Sequence, residues 1–274
     1  MALAAILWSS SGLFAKASTF ESWPADSRGV LLAFWRAAFA GLLLLPAVRR
    51  PQWDAKLIPL CVAFTIMNVT YLTAMTLSTA ANAIWLQSTA PWWVLLVGVV
   101  VLGEPFPRSQ LLPLAIGGLG LAIILWFEVQ GQARGGVLCG LVSGVSYSAV
   151  VLSLRALRGL DTVWIVAVAL LFTAACIFPY VVYVGIWPSA TQLPVLAGFG
   201  MLQLALPYVI FARGLRTITS QEATVIGLLE PILLPVWVYL AWGEVPAPWT
   251  VAGGALILAG LLLRYGAPLL RRNT

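Results

Sequence analysis

The sequence predicts an all-α membrane protein: ten transmembrane helices, arranged as two inverted five-helix repeats with both termini cytoplasmic. Three observations carry this expectation. Hydrophobic residues make up 61% of the 274 positions, charged residues only 9%, and the mean hydropathy is +0.98. A soluble chain carries about 25% charged residues, so water is not the main solvent of this surface. Apolar runs of about 20 residues, the length a helix needs to cross a bilayer core, recur along the whole chain. One of those runs occurs twice.

The expected spans, in order, are 2–20, 28–48, 57–77, 81–102, 109–127, 135–154, 163–186, 191–212, 221–242 and 248–268. None alternates polar with apolar residues, so barrel strands are excluded and helices remain. The start lacks a basic leader segment, and its apolar stretch is long enough to span, so it is expected to stay as a helix. With the N-terminus inside, the inner loops and tail carry Arg49, Arg50, Lys56, Arg108, Arg155, Arg158, Arg213, Arg216, Arg264, Arg271 and Arg272. The outer loops carry only Arg28 and Arg134. Positive charge collects on the cytoplasmic side, so both termini belong there.

Ala83–Glu104 ends in Gly-Glu and contains Pro91; Ala223–Glu244 ends in Gly-Glu and contains Pro231, 140 positions later. Thr79 matches Thr219 at the same offset, and Tyr71 matches Phe211. Trp8 and Lys16 stand eight apart, as do Tyr147 and Arg155. Constant order at constant spacing signals internal duplication. It divides the chain into repeats at 1–127 and 135–274. Each repeat holds five helices, an odd number, so the second enters the membrane inverted. Inverted repeats place a solute site near the midplane.

The net charge of +6 lies in short loops and is not a nucleic-acid signature. With no histidine, His-dependent catalysis and the commonest metal ligand are excluded. Neither an H-E-x-x-H nor a G-x-S-x-G motif occurs, and no two intramembrane acids lie close together, which argues against an enzyme. Cys61, Cys139 and Cys176 stand singly in apolar segments, as small packing residues do. No cofactor or metal is expected.

Trp8-Ser9-Ser10-Ser11-Gly12 followed by Lys16, Phe34-Trp35-Arg36 in the second helix, and the two Pro…Gly-Glu segments together resemble the EamA family of the drug/metabolite transporter superfamily. The aromatic content is most similar to aromatic amino acid exporters of the YddG type. The resemblance covers nearly the whole chain. It implies a cavity enclosed mainly by helices 1, 3, 4, 6, 8 and 9, in a multi-pass protein of the bacterial inner membrane. One departure is plain: helix 7 has no counterpart of Arg36.

Several residues suit a solute site. Proline removes a backbone donor and frees the carbonyl four residues back, so Pro91 and Pro231 mark paired helix breaks, as hinges or as packing kinks. Glu230 is the one acid near the middle of a span; it is a proton site, a partner for a solute ammonium, or half of a structural pair with Lys16 or Arg36. Lys16 and Arg36 either meet a solute carboxylate or, for Lys16, snorkel to the interface. Helical spacing puts Ser9, Gly12 and Lys16 on one face, Asn68, Tyr71 and Met75 on another, and Asn82, Trp85 and Thr89 on a third. Tyr147, Gln203 and the deep Trp8 complete the expected substrate-binding set of Trp8, Ser9, Asn68, Tyr71, Asn82, Trp85, Tyr147, Gln203 and Glu230. Such polar groups also bond helix to helix. Gly136, Gly140 and Gly144 form a small-residue seam suited to close packing.

An aromatic, hydrogen-bonding lining suits a small zwitterion with an apolar body. The expected function is alternating-access export of aromatic or other large apolar amino acids by a monomer in the bilayer. The alternatives are a lipid or lipid-linked sugar flippase, or a multidrug or other metabolite exporter.

Overall fold

An apolar chain can satisfy its backbone in lipid only by bonding within itself, and every regular element among the described residues is helical. The computed structural model describes residues 2–100, 103, 108–131, 133–214 and 226–270. Among the described residues ten apolar helices stand in chain order: α1 (Ala2–Ala15), α2 (Ala25–Ala47), α3 (Leu57–Leu77), α4 (Ala80–Val100), α5 (Arg108–Glu128), α6 (Arg134–Leu154), α7 (Thr162–Val184), α8 (Gln192–Phe211), α9 (Leu229–Trp242) and α10 (Pro248–Gly266). Eight of them are long and apolar enough to cross a membrane; α1 and α9 are shorter. The expected span 2–20 is therefore corrected: its helix stops at Ala15, and Ser18–Phe20 is a separate 3-10 turn. Part of the expected span 221–242 lies outside the described residues.

Local chemistry sets the ends. Thr79 Oγ1 accepts from Asn82 N at 3.1 Å and caps α4. Asp161 Oδ1 accepts from Val163 N at 3.0 Å and caps α7. Gly103 and Gly243, the equivalent glycines of the two Gly-Glu pairs, both have φ 67°. That left-handed conformation closes a helix most cheaply at glycine.

The packing respects the duplication. α3 lies on α6 as α8 lies on α1; α4 lies on α6 as α9 lies on α1; α3 lies on α7 as α8 lies on α2. Equivalent helices also meet directly. Ser27 bonds Tyr180, Phe34 packs on Phe178 and Gly41 sits under Leu171, so α2 and α7 run antiparallel. Gly120 meets Gly253 and Ile257, while Gly260 meets Pro113 and Gly117, so α5 and α10 also run antiparallel. The glycine seam of α6 serves contact: Gly136 touches Leu77 and Ser78, and Gly140 and Gly144 touch Leu86.

Two helices are interrupted. α4 breaks at Ser88–Thr89 and α9 at Leu228, each two to three residues before the matched prolines Pro91 and Pro231. The Pro91 carbonyl accepts from Arg264 Nη1 at 2.8 Å. Arg264, placed by sequence among the inner-loop charges, thus ties α10 to the kink of α4.

Candidate functional site

The interior between α2, α3 and α8 is built around Arg36. Its side chain is 2% exposed. Nη1 donates to Gln203 Oε1 at 2.8 Å, and Nη2 donates to Asn68 Oδ1. The guanidinium carbon stands 5.0 Å from the centroid of the Phe199 ring. Asn68 is itself held, its Nδ2 donating to Ala33 O at 3.3 Å. Nε has no partner.

The shape of α8 makes this possible. From Phe199 to Ala205 it widens into a π-helix, with Leu206 N bonding Met201 O. Such segments are rare and concentrate at functional sites. Phe199 and Gln203, at the start and middle of the segment, both reach Arg36. Gly200 lets the backbones close: a Cβ there would lie 2.8 Å from Arg36 O and 2.9 Å from Ala40 N.

Glu230 lies opposite, near the break in α9. It is half-buried and makes no hydrogen bond or ion pair with the described residues. Arg36, Tyr71, Tyr147 and Tyr208 all lie within electrostatic reach of it. Tyr71 is pinned by Ser11, oxygen to oxygen 3.1 Å. Tyr147 is 36% exposed although it faces this ionisable group. Trp8 adds an aromatic wall, with ring centroids 5.3 Å from Tyr208 and 5.1 Å from Phe211.

Trp8, Asn68, Tyr71, Tyr147, Gln203, Glu230 and Arg36 are thus brought together from α1, α2, α3, α6, α8 and α9. Ser9 is engaged within the protein: its hydroxyl donates to Ile6 O at 2.7 Å and accepts from Trp237 Nε1 at 2.9 Å. Asn82 and Trp85 stand on a face of α4 that packs against α10. Asn82 Oδ1 accepts from Thr250 Oγ1 at 2.8 Å, and Gly254 packs on the Trp85 ring. Lys16 is engaged within the protein as well. It meets Glu244 at 2.7 Å and donates to Ser78 O at 2.7 Å, away from the Arg36 group. The other oxygen of Glu244 accepts from Ala80 N at 2.7 Å, at the start of α4. Glu104, its counterpart in the first repeat, lies outside the described residues.

Phe199 and Tyr208 are the wall residues that sequence reasoning misses. Phe199 stands four residues before Gln203, which is a usable signal. Tyr208 follows the π segment, whose wider turn rotates the residues after it away from their α-helical phase.

Among the described residues no group of three or more His, Cys, Asp or Glu side chains is placed to hold a metal. A groove of about 200 Å³ lies between α4 and α5, lined by Trp92, Trp93, Leu96, Leu114, Gly118 and Leu121 among others. It is apolar and separate from the Arg36 group.

Comparison with known proteins adds to this geometry. The profile of the EamA-like transporter family matches residues 1–126 and 134–266. An uncharacterized transporter of Archaeoglobus fulgidus is 30% identical over 242 residues, 85% of this chain and 86% of that protein. The pseudopaline exporter of Pseudomonas aeruginosa is 25% identical over 244 residues, 84% of each. A crystal structure covering 95% of this chain and 93% of its own superposes with a TM-score of 0.64 at 18% identity, a likeness of fold alone.

Proposed function

The chain belongs to the EamA-like transporter family, and from that premise we propose that it exports amino-acid-like metabolites by alternating access, preferring aromatic or other large apolar amino acids. It is a multi-pass membrane transporter and not an enzyme. The finer picture is ten spans in two inverted repeats, 1–127 and 135–274, with both termini in the cytoplasm of a bacterial cell. The antiparallel crossings of α2 with α7 and of α5 with α10 support the inversion. The breaks before Pro91 and Pro231 are the hinges about which the halves rock.

One observation carries the substrate class. Two ionisable side chains, the buried Arg36 and the half-buried Glu230, lie within electrostatic reach of each other, and neither is in an ion pair with the described residues. Intramembrane charge is costly and marks pathways. One positive and one negative centre, flanked by Tyr71, Tyr147, Tyr208 and Trp8, suit a zwitterion with an apolar body.

Uptake into liposomes containing the purified protein tests this with phenylalanine, tryptophan, leucine, lysine, a sugar nucleotide and a cationic dye. Transport of phenylalanine, tryptophan and leucine above the others is expected. Failure of all three removes the substrate class. The groove between α4 and α5 favours a second reading, a lipid flippase, because its apolar lining suits an acyl chain. Scrambling of a fluorescent phospholipid in the same liposomes, with no amino acid uptake, would establish it instead.

A further inference from the structure

We propose that Arg36 binds the carboxylate of the transported solute, and that Asn68 and Gln203 are positioning residues whose neutrality keeps its charge available. This rests on the amino-acid reading above and names the group that would recognise one end of the solute.

A guanidinium has five N–H donors. Two are taken, one by each amide oxygen. The Nε hydrogen has no partner although the side chain is 98% buried, taking its 2% exposure from the whole. Nε and the second hydrogen of Nη2 form one edge of the fork, the edge that grips a carboxylate with two parallel bonds. The Phe199 ring, its centroid 5.0 Å from the guanidinium carbon, is an uncharged neighbour and takes none of these donors.

The choice of amides is informative. A buried cation whose task is only structural is best served by an acid in contact, because an uncompensated ion loses its hydration without return. The chain uses that solution elsewhere, joining Lys16 to Glu244. At Arg36 the two contacting residues are the uncharged analogues of Asp and Glu. They orient the fork and donate no charge. Among the described residues Glu230 makes no ion pair that would stand in for them. The π segment of α8 and the close approach at Gly200 are the backbone devices that bring Gln203 and Phe199 onto Arg36.

The test is Gln203→Glu, which keeps the acceptor oxygen and adds the missing charge in contact. Uptake of phenylalanine and of 2-phenylethylamine, the same body without the carboxylate, is measured in liposomes beside the thermal midpoint. The expected result is a tenfold or greater rise in KM for phenylalanine. The amine-to-acid uptake ratio should rise at least tenfold, with a midpoint equal to or above wild type. A folded variant with KM and ratio within twofold of wild type overturns the proposal. Asn68→Asp, carrying the same change on α3, is judged by the same two readouts if Gln203→Glu does not fold. Wild-type protein that carries no amino acid overturns the parent reading together with this one. Wild-type protein that carries phenylalanine, with selectivity unmoved in the variants, overturns this inference alone.

Discussion

Two cations enter the bundle from the first repeat, and they are treated in opposite ways. Lys16, at the end of α1, has an acid in contact at 2.7 Å and a backbone carbonyl at the same distance, and it remains 20% exposed. Arg36, in the middle of α2, is more deeply buried and has neutral partners only. Electrostatics alone predicts the reverse, since the deeper charge needs a counterion more. Hydrogen bonds to a charged group are worth about 1.5–3 kcal/mol each. Two of them offset part of a desolvation cost of several kcal/mol. The remainder is left for a ligand to supply. The paired cation fastens helices; the unpaired one is the cation proposed to meet the solute.

The largest effect expected from breaking this contrast is at Arg36. Arg36→Met removes the fork and keeps the volume. Loss of even one of the two carboxylate bonds, at about 1.5–3 kcal/mol, corresponds to a rise in KM of about 10- to 150-fold for phenylalanine, and loss of both to more. Some stability should be lost as well, because Gln203 Oε1 and Asn68 Oδ1 are each left without a donor, at about 1–3 kcal/mol apiece, offset in part by removal of a buried charge. Uptake kinetics and thermal midpoints on the same preparation check both halves. A folded variant that loses stability while its KM for phenylalanine stays within twofold of wild type would make Arg36 a structural cation and erase the difference from Lys16.

The intermediate effect is at Lys16 and Glu244. This pair joins α1 of the first repeat to the end of α9 in the second, and Glu244 also caps α4 through Ala80 N. A double-mutant cycle with Lys16→Met and Glu244→Gln should give a coupling of about 0.5–1 kcal/mol, the range of a partly exposed pair. Because the contact bridges the halves, its loss should change the ratio of open to closed states at that end by at most about fivefold. Maximal rate should move while KM for phenylalanine stays within twofold. A KM shift as large as that of Arg36→Met would place Lys16 in the solute site.

How far the sequence foretold these outcomes depends on what each one required. The duplication and the helical spans followed from long-range order and hydropathy, and the matched contacts of α3 with α6 and α8 with α1 bear the same stamp. Arg36, Asn68 and Gln203 were each identifiable as costly polar groups in apolar helices. Their convergence was not, since residues 36, 68 and 203 sit on three helices whose neighbours a sequence does not specify. Spacing put Asn82 and Trp85 on one face of α4 but left open which helix would cover it; Thr250 and Gly254 of α10 do. The partner of Lys16 stands 228 positions away at Glu244, beyond any local rule. Tyr208 was hidden by the π segment, because a period fitted to α-helices loses phase across it.

The smallest effect on transport is expected at the seam between Ser9 and Trp237, and it sharpens the same contrast. Ser9 belongs to a polar run that sequence assigns to the solute site, yet its hydroxyl already donates to Ile6 O and accepts from Trp237 Nε1. Trp237→Phe removes the indole donor and leaves Ser9 bonded to Ile6 O. Interhelical hydrogen bonds in membranes are worth about 0.6 kcal/mol on average, and the loss should be near that. Ser9→Ala should cost more, because it leaves the Trp237 N–H without an acceptor, and an orphaned donor carries its own penalty of about 1–3 kcal/mol. Thermal midpoints should therefore fall further for Ser9→Ala than for Trp237→Phe, and KM should hold within twofold for both. A KM that rises with Ser9→Ala alone would mean that the serine hydroxyl reaches the solute, and the boundary between fastening and receiving residues would have to be moved from Arg36 toward α1.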